Sequence, residues 1–184
     1  MIKKKLSSLG ISSLMTIGAC TLYAPHTLAA NIVDLQFDEN AGLISSDLSG
    51  NNNHATLQQA VWVAGKNGSA LSFDGVNAYA ELANEKTATL YNLHKGNHTI
   101  TAWVNPAAAA GHRSGVVTRW GVHQGLFYNA DGTFTFKHRT PSGTQSVTTP
   151  LPYSPGEFYH VATTIDGDTG KLIIYINGEA VATK

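Results

Sequence analysis

With 184 residues the chain holds enough material for one domain of ordinary size and not for two. Charged side chains make up 13%, about half the usual share, and the formal net charge is zero, which excludes a nucleic-acid binder needing a basic surface to neutralise phosphates. One cysteine excludes a disulfide framework and a cysteine-based zinc site, and 42% hydrophobic residues without a long charge run exclude a disordered chain.

The N-terminus reads as a secretory signal over residues 1–30. A basic start (Lys3, Lys4, Lys5) leads into an uncharged run from Leu6 to Leu22, and small residues follow at Ala29 and Ala30. The run carries serines and threonines and is short of a full membrane span. Two processing routes stay open: cleavage after Ala29 or Ala30, giving a secreted or periplasmic protein, or lipidation of Cys20 within Ile17-Gly18-Ala19-Cys20, which resembles a bacterial lipobox. The second would be the one route to a membrane. Removing residues 1–30 takes three lysines and no acid, so nine basic side chains would face twelve acidic ones, a formal charge of −3.

From Asn31 onward no helical period persists over three turns. Short runs rich in Val, Ile, Thr, Phe and Tyr recur between Gly, Asn and Asp, which predicts strands. They are Ile32–Phe37, Ala70–Phe73, Ala78–Leu82, His98–Val104, Gly115–Trp120, Leu126–Asn129, Thr133–His138, Phe158–Ile165 and Leu172–Ile176. A short helix is expected around Glu85–Tyr91. Asp131-Gly132 and Asn177-Gly178 predict tight hairpins because both dipeptides tolerate positive φ, and Asp166–Gly170 links two further strands. Many short antiparallel strands without covering helices must bury their faces against another sheet, giving an all-β sandwich or a barrel.

An ordered series of blocks carries a more specific likeness. LQFDENAGLISSDLSGNNNHATL at Leu35–Leu57 is followed by Trp62, Gly65 and ALSFDGVNAYAEL at Ala70–Leu82. HTITAWVNP, GLFYNADGTFTF and FYHVATTIDGDTGKLIIYINGEAVAT then follow in order. This series resembles the bacterial LamG-like jelly-roll domains of the concanavalin A-like lectin/glucanase superfamily. The resemblance implies an antiparallel β-sandwich, a concanavalin A-like jelly roll, over residues 31–184. Such domains usually continue beyond the YINGEAVA hairpin, so the domain is expected to be C-terminally incomplete and to lack its last strand.

The resemblance also frames the search for chemistry. Retaining glucanases of the superfamily carry acids alternating along one strand. Here Glu39, Glu81, Glu85, Glu157 and Glu179 are scattered, and no HExxH or G-x-S-x-G occurs, so no catalytic residue is expected. His94 and His98 read as solvated, while His54 and His160 read as structural partners of backbone near sheet ends. Asp47, Asn51 and Asn53 put carboxylate and amide oxygens into one turn, a donor set suited to calcium, and related jelly rolls often hold that ion. The same residues also suit a self-capped turn without metal. Asp166–Gly170 lacks the downstream glutamate of an EF-hand and reads as a hairpin turn.

Sugar binding requires aromatic faces with polar neighbours. On His98–Val104, Thr99, Thr101 and Trp103 share one face and Ile100, Ala102 and Val104 the other. Thr101 and Trp103 are therefore candidates to line a groove, with Trp62, Arg119, Trp120 and Tyr128 beside them. The competing reading places Trp103 and Trp120 in the core. The function expected is an exported, non-catalytic binding or adhesion module for polysaccharide or surface glycoconjugate, with assistance by calcium left open. The alternatives are a structural or protein–protein module, and an accessory domain of a polysaccharide-degrading enzyme.

Overall fold

The computed structural model describes residues 30–82, 96–107, 112–119, 124–140 and 143–184. The chain divides into Met1–Ala30 and Asn31–Lys184, and the fold below is that of the second unit. The signal segment with Cys20 and Ala29, the expected helix at Glu85–Tyr91, His94 and Trp120 lie outside the described residues.

Among the described residues every regular element is a strand, and all pairings are antiparallel. Strand β1 (Ile44–Ser45) pairs with β2 (Ala55–Gln58), which pairs with β5 (Tyr79–Leu82). Strands β3 (Val61–Ala64) and β4 (Ser69–Ser72) form a separate hairpin. Strands β7 (Ser114–Arg119), β8 (Gln124–Tyr128), β9 (Phe134–Thr140) and β10 (Gly143–Thr148) build one four-stranded meander. The second large sheet sets β6 (His98–Val104) beside β11 (Tyr159–Ile165), then β12 (Leu172–Ile176) and β13 (Glu179–Thr183).

Alternation explains why these two sheets meet. Leu126, Tyr128, Phe134, Phe136 and Val147 come from the meander, and Val161, Ile165, Leu172, Ile174 and Ile176 from the other sheet; together they form one buried cluster. Within each strand these residues are two or four apart, so each sheet turns one face toward the shared core. Six of them have no measurable exposure, and each such side chain contributes about 1.5–3 kcal/mol through removal from water. At one end of the core Phe134, Tyr153 and Tyr159 stack in series, with centroids 5.6 and 5.2 Å apart.

Strands β1, β2, β3 and β10 were not expected, and the expected strand Ile32–Phe37 is absent. Ile32–Phe37 is not a strand: only Leu35 bridges to Asp47, because this segment spends its hydrogen bonds on side chains of the Asp47 turn. Strand β10 was not expected, since GTQSVT offers a single apolar side chain, Val147, to the core.

Candidate functional site

Trp103 is 49% exposed and lies on the solvent face of β6. The register decides this: Ala102 pairs with Val161, whose side chain is in the core, so the neighbouring Trp103 and its partner His160 point outward. Their rings lie 5.3 Å apart with a 58° tilt. Lys66, in the turn between β3 and β4, brings its ammonium to 5.7 Å from the Trp103 ring centre, a cation–π contact. Asp38 holds that turn by accepting the Ser69 N–H at 3.1 Å, and the Phe37 carbonyl accepts the Ser69 hydroxyl.

The opposite wall comes from the β12–β13 hairpin. Asn177 and Gly178 have φ of 51° and 88°, the two consecutive positive values that a two-residue hairpin with strand-like twist demands. This turn places Asn177 Oδ1 2.9 Å from the His160 N–H, while the Asn177 N–H donates to the His160 carbonyl at 2.8 Å. Lys66, Trp103, Phe158, His160, Asn177 and Gly178 line an open hollow of about 510 Å³. It combines an aromatic face with ammonium, imidazole and amide groups, the mixture with which proteins hold a polyhydroxylated ring.

The other expected sugar-facing residues are dispersed. Thr101 shares the outer face of β6 with Trp103. Trp62 sits on β3 and donates its indole N–H to the Gly42 carbonyl at 3.0 Å. Arg119 belongs to the other large sheet, opposite Gln124. Tyr128 is a correction: it is 7% exposed in the core, and its hydroxyl donates to the Tyr153 carbonyl at 2.9 Å, so its ring faces no ligand surface. Burial, followed by the nearby Asp131 charge, pushes the Tyr128 phenol above its ordinary range. Lys66 and Asn177 were not expected in a site because they arrive from turns distant in sequence. His160 was expected only as a structural partner of backbone, and its place beside Trp103 follows from the pairing of β11 with β6.

The Asp47 turn is a second concentration of polar groups. Asp47 Oδ1 accepts the N–H groups of Asp34 (2.8 Å) and Ser49 (3.0 Å), and Oδ2 accepts the Ser49 hydroxyl (2.8 Å) and the Asn53 N–H (2.9 Å). The Asp47 N–H donates to His54 Nδ1 at 3.0 Å, the structural role expected of that histidine. Burial of the carboxylate opposes ionisation, but the four donors outweigh it and hold the pKa at about 2. The amide nitrogens of Asn51 and Asn53 donate to the Ile32 carbonyl at 3.1 and 2.9 Å, and the Ser49 hydroxyl shares its one proton between that carbonyl (3.0 Å) and Asp47 Oδ2. Asn53 is 3% exposed, and its Oδ1 has no partner among the described residues.

Comparison with known proteins places this architecture. No functionally curated protein matches the chain. Among solved structures it is similar to an S-layer domain-containing protein (residues 221–444) from Clostridium thermocellum ATCC 27405. Identity there is 28% over 83% of this chain and 71% of that one, with a TM-score of 0.51. The laminin G-type model described as the concanavalin A-like lectin/glucanases superfamily matches residues 73–184, which span β5 to β13 and both large sheets. By that match, and by its two antiparallel sheets closed over a common core, the chain belongs to the concanavalin A-like lectin/glucanases superfamily.

Proposed function

We propose that the domain is an exported, surface-associated binding module that holds carbohydrate at Trp103 and performs no catalysis. The half-exposed Trp103, framed by Lys66, His160 and Asn177, carries the reading. A purely structural module is expected to bury its tryptophans, and this one keeps a ring half open to solvent. In support of binding over catalysis, Glu81 and Glu179 stand on separate strands and Glu39 and Glu157 in loops, with the carboxylates of Glu39 and Glu157 engaged by Ser46 and Tyr159. The similar S-layer domain-containing protein supports a place at the cell surface, in line with the signal read at residues 1–30.

The experiment is a titration of the protein with neutral polysaccharides, read by tryptophan fluorescence and thermal unfolding. Trp103→Ala is expected to weaken a responding glycan by about 2 kcal/mol, roughly thirtyfold, without lowering the melting temperature. Equal affinity in Trp103→Ala, or no response to any glycan by the folded protein, rejects the reading and returns the module to a structural role.

Calcium fits as an ordering ion at the Asp47 turn. The buried, orphaned Asn53 Oδ1 is the observation that favours it. Asp47, Asn51 and Asn53 would hold the ion, which would have to displace donors now on the Asp47 carboxylate, the Ser49 hydroxyl among them. A hard cation supplies charge neutralisation there and rigidity to the turn. Millimolar calcium is expected to raise the melting temperature and chelator to reverse the rise, since a ligand at a hundredfold excess over Kd adds about 2.7 kcal/mol. An unchanged melting curve removes calcium from the reading.

A further inference from the structure

The solvent face of the meander has a character of its own. Core residues Leu126, Tyr128, Phe134, Phe136 and His138 occupy alternate positions, so Gly125, Phe127, Thr135, Lys137 and Arg139 lie on the outer side of the sheet, where Gly125, Phe127 and Thr135 are buried and Lys137 and Arg139 reach solvent. The registers align them into cross-strand rows. One row runs Gly115, Phe127, Thr135, Thr148; the next runs Thr118, Gly125, Lys137, Ser146; Arg139 follows beside Thr144. Arg113 lays its guanidinium 4.2 Å from the centre of the Phe127 ring and covers it.

Three properties of this face point to a ligand. First, its charge is of one sign: the rows contain Lys137 and Arg139, with Arg113 over Phe127, and no carboxylate. Among the described residues none of these three cations has an ion-pair partner, in a domain whose formal charge from Asn31 onward is −3. The nearest acid of the hairpin, Asp131, lies at the far end of β9 with its Oδ1 occupied by the Thr133 N–H and hydroxyl. Second, the polar groups beneath the cations are tied to one another, which fixes the sheet that carries Lys137 and Arg139. Asn129 Nδ2 donates to Thr133 Oγ1 (2.9 Å) and Thr135 Oγ1 (2.7 Å), and Thr135 Oγ1 bonds Thr148 Oγ1 at 2.8 Å. Third, the floor beside Lys137 is bare. Gly125 has φ of 132°, and a Cβ there would collide with the Val117 carbonyl oxygen, so β7 and β8 approach closely without a side chain standing between Phe127 and Lys137.

We propose that this face is a second binding site, distinct from the Trp103 hollow, and that its ligand is an anionic polysaccharide. Lys137 and Arg139, two residues apart on one strand and so roughly 7 Å from each other, engage successive acidic groups. Arg113, flattened on Phe127, offers a planar cation to a third acidic group or to a sugar ring. The hydroxyls of Thr118, Ser146 and Thr144 border the track and supply polar contacts to sugar hydroxyls. Because the two large sheets meet through their inner faces, this site and Trp103 lie on opposite sides of the sandwich.

The test measures binding of the full chain to polygalacturonate, dextran sulfate, a neutral β-glucan and double-stranded DNA at two salt concentrations. An anionic glycan is expected to bind with affinity that falls as salt rises, through screening of the cations. The double variant Lys137→Ala/Arg139→Ala is expected to lose at least tenfold of that affinity at an unchanged melting temperature. Trp103→Ala is expected to keep it, which separates this site from the one proposed above. Binding of polygalacturonate alone identifies a carboxylated ligand, and binding of dextran sulfate alone a sulfated one. Three outcomes overturn the proposal: neither anionic polymer binds, the double variant binds as well as the parent, or DNA binds as tightly as the glycan.

Discussion

Asp47 shows how much structure one carboxylate can organise when its surroundings are rich in donors. Its four hydrogen bonds lower the pKa from the ordinary 3.8 to about 2, against the opposing effect of burial. A group whose folded pKa is depressed adds stability that is complete above its unfolded pKa and disappears as pH falls through the folded one. The Asp47 contribution is therefore full above about pH 4 and lost between pH 4 and 2, amounting to roughly 2 kcal/mol. Asp47→Asn is expected to lower stability at pH 7 by that amount or more and to flatten the acid limb of the stability curve in this window. Urea unfolding of both proteins from pH 7 to pH 2 checks it; parallel curves would show that the charge at Asp47 is immaterial. At this scale the sequence was readable in part. The packing of oxygen-bearing residues from Asp47 to Asn53 was visible, whereas the Asp34 N–H and the Ile32 carbonyl were not, because neither backbone group carries a residue-type signal.

Among the elements, the hairpins obey local rules and the strands obey periodicity. Gly178 sits at φ 88° in the turn that carries Asn177 to His160. Gly178→Ala is expected to cost about 1 kcal/mol or more, because a Cβ disfavours that conformation, and to weaken glycan binding at Trp103 by loosening the wall. Denaturant unfolding and the same fluorescence titration read both effects, and a neutral result in each would contradict the role assigned to the turn. The same rules made β6 and β12 legible to the residue, since their apolar runs are bounded by clear turn signals. Strand β10 was hidden because its outward face is polar and only Val147 faces the core. The orientation of β6 was hidden differently: Trp103 and Ile100 are both large and apolar, and only pairing of Ala102 with Val161 decides which face turns inward.

On the scale of the whole molecule, stability rests on one interface between two sheets. Phe136 is fully buried at its centre, so Phe136→Ala is expected to cost about 3–5 kcal/mol through lost burial and the cavity left behind. A loss below 1 kcal/mol in denaturant unfolding would mean that the sheets do not share a core. That the fold was legible more fully than the surroundings of Trp103 and Asp47 has a common cause: the core depends on alternation within strands, but each of these places joins residues from several strands and turns. One feature near the start of the domain bears on how it would carry load. Residues Asn31, Ile32 and Asp34 are fastened to the Asp47 turn by Ser49, Asn51 and Asn53 as well as by Asp47 itself, and the Asp34 carbonyl also accepts the Leu48 N–H at 2.8 Å. Traction applied to the backbone at Asn31 would meet several short bonds side by side, sharing the strain before any strand is peeled away. Under such traction the Asp47 turn would thus act as a mechanical clasp, and Asp47→Asn in a pulling experiment would yield at a lower force.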